Sequence, residues 1–233
     1  MRIAILSDIH SNLQALQSTL EYVSSMNLDA LYCLGDIVGY GANPNECIEL
    51  IRRHATHVVR GNHDQAMYDS ALLATFSKPG RIASEWNRRQ LVKENLDYLA
   101  ALPLKIETDC CTLAHSAPTN PEAWEYVASL DSAERQFAAF STQICFIGHT
   151  HQPIVCGEDL ETFDFKAGVR FLINVGSVGQ PRDHNPQSSF GYLDTGSWEY
   201  RNFRLDYEIE KAAKAIKVAG LPRFLGKRLS VGM

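Results

Sequence analysis

The chain has no surplus of basic residues. Its 22 Lys and Arg stand against 27 Asp and Glu, for a formal net charge of −5. This argues against a general polyanion binder, because nucleic-acid-binding domains carry a basic face. Stable nucleic-acid binding is therefore not expected, and any phosphate-bearing ligand would need a local positive centre. No apolar run reaches the roughly 18 to 20 residues that cross a bilayer, so no membrane partner is expected. The start, MRIAILSDI, lacks the basic segment and small-residue cleavage site of a secretory signal. A cytoplasmic location is the expectation. The six cysteines, Cys33, Cys47, Cys110, Cys111, Cys145 and Cys156, show no C-x-x-C spacing for metal or redox chemistry. Cys33 and Cys145 sit inside the apolar runs ALYCLG and ICFIG, as small core residues do in a reducing compartment. Internal repeats, low-complexity tracts and linkers are also missing. The 233 residues read as one domain spanning 1–233.

What is present is an alternation of strands and helices. MRIAILSDI, LDALYCLGD and THVVRGN read as buried strands. Leu13, Leu16, Leu20 and Val23 recur at helical spacing, with Ser11 and Asn12 as candidate caps. Asn43, Pro44 and Glu46 spell a second helix start that runs to about Arg53. Residues 65–102 read as mostly helical, with a break near Lys78-Pro79-Gly80 and a long amphipathic helix from Arg81 to Ala101. Strands LKIET and CTLAHS follow, then a helix over Asp131 to Ser141 and the strand QICFIG. FGYLDTGSWEYRNFRL reads as a hairpin about Asp194-Thr195-Gly196, and Asp206 to Ala219 as an amphipathic helix. The pattern predicts an α/β layered domain with a mixed sheet or two stacked sheets.

Each apolar strand ends in the same kind of chemistry. The endings are Asp8-Ile9-His10, Gly35-Asp36, Gly61-Asn62-His63-Asp64, His115, and Gly148-His149-Thr150-His151. Ligands of open α/β sheets bind beyond the carboxyl ends of strands, so the five clusters should meet on one rim. Asp and His supply the oxygen and nitrogen donors that suit manganese, iron, zinc, nickel or cobalt rather than calcium. The donors are too many for one tetrahedral ion. Two ions about 3.5–4 Å apart, sharing one carboxylate, would use them all. Glycines 35, 61 and 148 are expected to let the backbone turn sharply beside these donors. His54, His57 and His184 lack this strand-end context and read as ordinary structural residues.

The linked blocks D-x-H, G-D, G-N-H-D, H and G-H-x-H, over about Met1 to His151, resemble the calcineurin-like metallophosphoesterase superfamily. DIHSNLQAL, GDIVGYGANPNE and GSVGQPRD look like its small prokaryotic subgroup, described as phosphodiesterases or likened to dinucleoside tetraphosphatases. The resemblance implies a four-layer αββα sandwich with two mixed sheets flanked by helices. It implies that Asp8, His10, Asp36 and His151 hold one divalent ion. Asp36 would bridge to a second ion completed by Asn62, His115 and His149. His63 would face the substrate, as stabiliser of charge or donor to the leaving oxygen, and Asp64 would orient His63 or its loop, or serve as a turn residue. The chain departs from many members at Ser11 and at Ala114-His115-Ser116, where a glycine is common.

Substrate contacts are left more open by the sequence. Arg60 either faces phosphate or pairs with a carboxylate. Arg182 and its glycine-rich loop either offer guanidinium and amides to phosphate or form a turn. Asn12 either touches phosphate or caps a helix. Residues 65–102 are a candidate helical lid, with Tyr68, Phe76 and Trp86 set either to stack on a base or to pack in the core. The expected activity is metal-dependent phosphohydrolysis of phosphodiester or nucleotide-type phosphate bonds in a small phosphorylated substrate. The alternatives are a phosphomonoesterase, including a small protein phosphatase, and a non-enzymatic scaffold. Leu221, Phe224, Leu225 and Leu229 would pack the tail on its own domain or against a second copy in a homo-oligomer.

Overall fold

A computed structural model describes all residues from Met1 to Met233. The first half runs β1 (Arg2–Leu6), α1 (Leu13–Ser24), β2 (Ala30–Cys33), α2 (Pro44–His54), β3 (His57–Val58), α3 (Asn62–Gln65), α4 (Ser70–Ala74), α5 (Lys78–Gln90) and α6 (Lys93–Ala101). The second half runs β4 (Lys105–Glu107), β5 (Cys111–Ala114), α7 (Leu130–Glu134), β6 (Ile144–Ile147), β7 (Ile154–Gly157), β8 (Phe171–Asn174), β9 (Ser188–Asp194), β10 (Glu199–Leu205), α8 (Ile209–Val218) and α9 (Arg223–Lys227). They build two five-stranded sheets, ordered β10-β9-β1-β2-β3 and β4-β5-β6-β8-β7. Both sheets are mixed: β1, β2 and β3 are parallel with β9 antiparallel beside them, and β5, β6 and β8 are parallel between two antiparallel edges.

The layering follows from how β1 divides its side chains. Ile3 and Ile5 point between the sheets, where they meet Leu113, Phe146 and Ile173. Ala4 and Leu6 point outward, onto the core shared with Leu16 of α1 and Ile48 and Ile51 of α2. An apolar run without alternation is what a strand covered on both faces requires. A smaller cluster, Ala133, Phe137, Phe140, Cys145 and Ile147, covers the outer face of the second sheet. The result is helices, sheet, sheet and helix in four layers. The architecture is the expected αββα sandwich, with a thin outermost layer.

Three boundaries differ from the sequence reading. The break expected near Lys78-Pro79-Gly80 falls just before it, between the end of α4 at Ala74 and Lys78, and the Lys-Pro-Gly stretch opens α5, because proline is tolerated in a first turn where its missing N–H has no partner to lose. The expected long helix from Arg81 splits into α5 and α6 at Leu91-Val92, where the backbone is extended. There Asn45 accepts from the Val92 amide at 3.1 Å and donates to the Gln90 carbonyl at 2.8 Å. These long-range bonds replace helical ones and leave no local signal. The expected helix over Asp131 to Ser141 is α7 followed by a 3-10 turn, Arg135–Ala139.

The tail covers its own chain. Leu221, Leu225 and Leu229 are buried against Ala83 of α5 and Ala212 and Ile216 of α8, while Phe224 is 53% exposed.

Candidate metal centre

The parallel strands bring their carboxyl ends to one rim. β1 leads to Asp8 and His10, β2 to Asp36, β3 to Asn62 and His63, β5 to His115, and β6 to His149 and His151. All eight side chains are buried. Two triads place their donor atoms within 4.8 Å of one another: Asp8, His10 and His151, and Asp36, His115 and His149. A third combination, His10, Asp36 and His63, meets the same distance. Asp36 Oδ2 stands between the first two triads, 3.6 Å from His10 Nε2 and 3.3 Å from His115 Nε2.

Backbone carbonyls fix which nitrogen of each ring faces the centre. His10 Nδ1–H donates to Val38 O at 3.1 Å, His115 Nδ1–H to Leu34 O at 2.8 Å, and His151 Nδ1–H to Gln180 O at 2.5 Å. His149 is turned the other way: its Nε2–H donates to Trp124 O at 2.9 Å, which leaves Nδ1 for the centre. The free nitrogens then face each other in pairs, His10 with His151 at 3.0 Å and His115 with His149 at 3.2 Å. Two lone pairs at that separation repel unless a cation lies between them. Metal–nitrogen bonds of about 2.0–2.1 Å, meeting at right to tetrahedral angles, put two nitrogens about 2.9–3.3 Å apart. Asp8 Oδ1 and Asn62 Oδ1 are buried without any hydrogen-bond partner, as oxygens aimed at a cation would be. The donor set therefore fits divalent transition metals, with each ring held by an outer hydrogen bond.

Charge concentrates here without basic partners. Burial alone would raise the Asp8 carboxyl, yet His151 and His10 beside it hold it well below the usual range. Asp36 is likewise pulled down, against burial, by His115 and His63. Burial lowers His115, but the Asp36 carboxylate overrides it and pushes the ring up to about 9. Burial pushes His149 down to about 4 and His151 to about 3, helped by the charges of His115 and Arg182 respectively. These are groups that hold a cation or a proton between them, and a metal competes with the proton.

The loops carrying the donors are strained. Asp8, His10, Asp36, His149 and His151 all have φ between 51° and 68°, a region that costs a non-glycine residue on the order of 1 kcal/mol or more. Ser11, at one of the two departures from the family pattern, has φ 52° and donates to Asn87 Oδ1 at 2.6 Å. The glycines were expected to supply the sharp turns, and Gly35 does so at φ 91°. Gly61 and Gly148 serve a different need. A Cβ on Gly148 would collide with Ser7 Oγ and lie 2.5 Å from Asp8 Oδ2, and one on Gly61 would collide with Asp36 Oδ1.

His63 sits beside the centre rather than squarely in it. Its ring packs at 4.5 Å on Tyr40 and at 4.5 Å on Phe76, and its Nδ1 meets Ser84 Oγ at 3.2 Å. Burial pulls it well below its ordinary pKa, so its resting form is the neutral ring with one N–H. Asp64 does not touch His63. Its carboxylate accepts from Ile37 N at 2.9 Å, Val38 N at 3.2 Å and Gly61 N at 3.0 Å, tying the β2 and β3 turns together.

The substrate contacts expected from sequence fare unevenly. Arg60 is turned away from the rim: it donates to Tyr68 Oη at 2.5 Å and to the Ala100 carbonyl at 3.4 Å, on the side of α6. Asn12 caps α1 through Ala15 N at 3.2 Å and donates to Gly179 O at 2.8 Å, so its amide is committed. Most amides of the GSVGQPRD loop are committed within the chain. Val178 and Gly179 donate to Ser7 O at 2.9 Å and Asp8 O at 3.0 Å, while Arg182 N donates to His151 O at 3.3 Å. Only the Arg182 guanidinium reaches the site, 5.7 Å from the Tyr40 ring centre. Of the aromatics in 65–102, Phe76 packs on His63, Trp86 joins the tail cluster and Tyr68 holds Arg60.

Other residues at the rim were missed by sequence reasoning. Tyr40 lies 4.7 Å from the His10 ring, and Tyr126, 58% exposed, stacks on His149 at 4.1 Å. Tyr40 lies within GDIVGYGANPNE but carries no donor of the D-x-H or G-D kind, and Tyr126 lies in no quoted block. Asn87 in α5 was also missed. It accepts from Ser11 Oγ and, at 3.1 Å, from Gly39 N, and donates to Gly41 O and Ala83 O, both at 3.0 Å. Asn87→Ala should strand three buried partners and cost at least about 2 kcal/mol of stability, read by urea denaturation. An unchanged midpoint would rule out this anchoring.

Comparisons with known proteins agree with this geometry. The calcineurin-like phosphoesterase superfamily domain matches residues 1–197. The uncharacterized protein MJ0912 of Methanocaldococcus jannaschii is 39% identical over 240 residues, covering 99% of this chain and 98% of its own. The crystal structure of a metallophosphoesterase from Sphaerobacter thermophilus is similar at a TM-score of 0.88 and 37% identity, over 100% of this chain and 99% of that one. Hypothetical protein PH1004 of Pyrococcus horikoshii shares the fold at a TM-score of 0.82 and 20% identity, over 100% and 98% of the two chains. With the full motif set, the two mixed sheets and this match over most of its length, the chain belongs to the calcineurin-like phosphoesterase superfamily and is a metallophosphoesterase, a hydrolase of phosphoric esters.

Proposed function

We propose that the protein is a two-ion phosphohydrolase that cleaves phosphodiester or nucleotide-type phosphate bonds. The observation that carries this reading is the place of Asp36 Oδ2, shared between the His10 and His115 sides of the centre. In this reading Asp8, His10 and His151 hold one ion, Asn62, His115 and His149 hold the other, and Asp36 serves both. Bound divalent ions supply positive charge and bring the pKa of water from 15.7 to about 7, which provides the attacking oxygen near neutral pH. The two carboxylates would cancel only half the charge of such a pair, so the rim attracts phosphate in a chain of net −5.

The protein's own groups do the rest. The four carbonyl-held rings keep their lone pairs inward. His63, neutral at rest, accepts from Ser84 Oγ at Nδ1 and directs its one N–H, on Nε2, at charge developing on the phosphate or the leaving oxygen. Tyr40 and Phe76 keep water from its ring faces. Six cysteines without a disulfide suit a reducing compartment, so a cytoplasmic location is part of the proposal.

The test is a reloading series. Metal-stripped protein receives manganese, iron, zinc, nickel or cobalt and is assayed on bis-p-nitrophenyl phosphate, p-nitrophenyl phosphate, cyclic nucleotides and dinucleoside polyphosphates. Manganese is the first choice, and diester turnover should exceed monoester turnover. A monoester preference would make the protein a phosphomonoesterase. Failure to take up metal, with no turnover of any substrate, would leave a scaffold of the same fold. Independently of activity, an ion at about 100 times its Kd should add about 2.7 kcal/mol of stability and raise Tm. An unchanged Tm at saturating metal would contradict the assignment of the centre.

A further inference from the structure

We propose that the cavity on the outer face of the second sheet, beside the metal centre, is the subsite for the organic group of the ester, and that it takes a nucleobase while the phosphate lies on the metals. Its use in turnover rests on the phosphohydrolase reading, whereas its affinity for a base does not. The space measures about 290 Å³ and lies between α7, with the residues just before it, and strands β6, β7 and β8. Roughly 10–15 Å³ is enough to admit one water, so the space has room for an organic group.

The cavity follows from the thin outermost layer. Ile147, Cys156 and Leu172 turn their side chains out of the sheet, into the cluster with Ala133 and Phe137. α7 has five residues, too few to cover three strands, and the gap it leaves is this cavity. Eight of the twelve lining residues are apolar, so the walls suit an apolar surface. Leu130 and Ile154 are exposed at the mouth. A close-packed interior avoids such a hollow, whereas a ligand site is apolar with a few polar groups.

Sequence and contacts join the cavity to the metal centre. Thr150, on its wall, stands between the donors His149 and His151. Asn174 Nδ2 ties that residue down, donating to Thr150 Oγ1 at 3.0 Å and to Gly148 O at 2.6 Å. The residues before α7 are fastened to His149. Trp124 O accepts from His149 Nε2 at 2.9 Å, and the Tyr126 ring stacks on the same imidazole at 4.1 Å. Trp124 has φ 54°, a costly conformation for a bulky residue, and it turns the chain so that both contacts are made. Val127, Ala128 and Ser129, directly after Tyr126, line the cavity. A ligand held by its phosphate at the metals therefore passes Tyr126 to enter.

The walls select a base. Gln152 lines the cavity next to His151; its Nε2 donates to Arg182 O at 2.9 Å, and its Oε1 has no protein partner. A nucleobase has apolar faces and a hydrogen-bonding edge, and it stacks on an exposed aromatic ring such as Tyr126. An acyl chain uses neither feature. In a nucleotide a sugar separates base from phosphate, as the Tyr126–His149 stack separates the cavity from the metals.

In the experiment, adenosine 5′-monophosphate, ribose 5-phosphate and octyl phosphate are titrated calorimetrically into metal-loaded wild type, Ala128→Trp, Ile154→Glu, Tyr126→Ala and Tyr126→Phe. The first two ligands differ by the base alone. Wild type should bind the nucleotide about 5- to 100-fold more tightly than the sugar phosphate, the range for one base stacked on one ring. Ala128→Trp fills the cavity from an exposed position, and Ile154→Glu puts a charge in its apolar wall. Each should bring that ratio below about twofold. Tyr126→Ala should lower the ratio and Tyr126→Phe should keep it, whereas a structural role beside His149 would weaken both ligands alike. A wild-type ratio near one, a ratio that survives both cavity substitutions, or tighter binding of octyl phosphate than of the nucleotide overturns the proposal. Adenosine titrated into metal-stripped protein needs neither ions nor turnover: wild type should bind it and Ala128→Trp should not. If no ester were turned over, the phosphohydrolase reading would fall, and these affinities would still decide the subsite.

Discussion

Asp36→Ala should abolish metal binding on both sides of the centre and lower kcat more than about 10³-fold. The other donors belong to one triad or the other, but Asp36 Oδ2 lies within 3.6 Å of donor nitrogens in both. Without it, the His115 side loses its only anion, and the His10 side keeps Asp8 but loses the carboxylate it shares. Two such ions would contribute several kcal/mol to the transition state, and each 1.36 kcal/mol is tenfold in rate. Asp36 Oδ1 also accepts from His63 N at 2.8 Å, so alanine leaves that buried amide unpaired and costs about 1–3 kcal/mol of stability. Asp36→Asn separates the two effects, because it keeps the acceptor and removes the charge. Elemental analysis after dialysis and turnover of bis-p-nitrophenyl phosphate are the measurements. An alanine variant that retained two equivalents of metal and full turnover would remove the basis for a shared carboxylate.

His63→Ala should give the opposite signature: normal metal content with kcat about 10²- to 10³-fold lower, the typical cost of losing one charge-stabilising donor. The ring is not enclosed by carboxylates as His115 is; it is gripped by Tyr40, Phe76 and Ser84. That surrounding holds one N–H in a fixed direction and keeps the ring neutral, which suits donation to a developing charge. Removing a buried ring also opens a cavity, so Tm should fall as well. His63→Asn restores a donor of smaller volume and should regain part of kcat. Loss of metal in His63→Ala would instead place His63 among the ligands, which its distances to His10 and Asp36 permit.

Much of this molecule was legible in the chain. Strand identity was written in apolar runs such as IAIL and ICFI, because a strand buried on both faces must be apolar throughout. The polar residues that end those strands pointed to one rim because parallel strands share a direction. Gln65 to Ala101 was read less well: its break at Leu91-Val92 is set by Asn45, 45 or more residues away in sequence, at a helix boundary without proline or glycine.

By itself, the sequence determined the layered fold and which polar residues gather at one rim, since both follow from local composition and strand direction. The tertiary structure alone decided the rest: that His149 presents Nδ1 while three other rings present Nε2, that Arg60 and Asn12 are committed elsewhere, and that Tyr40 and Asn87 stand at the rim. Ring orientation depends on which backbone carbonyl lies within about 3 Å, and such carbonyls come from loops remote in sequence. No residue pattern along a chain encodes a neighbour that only folding supplies.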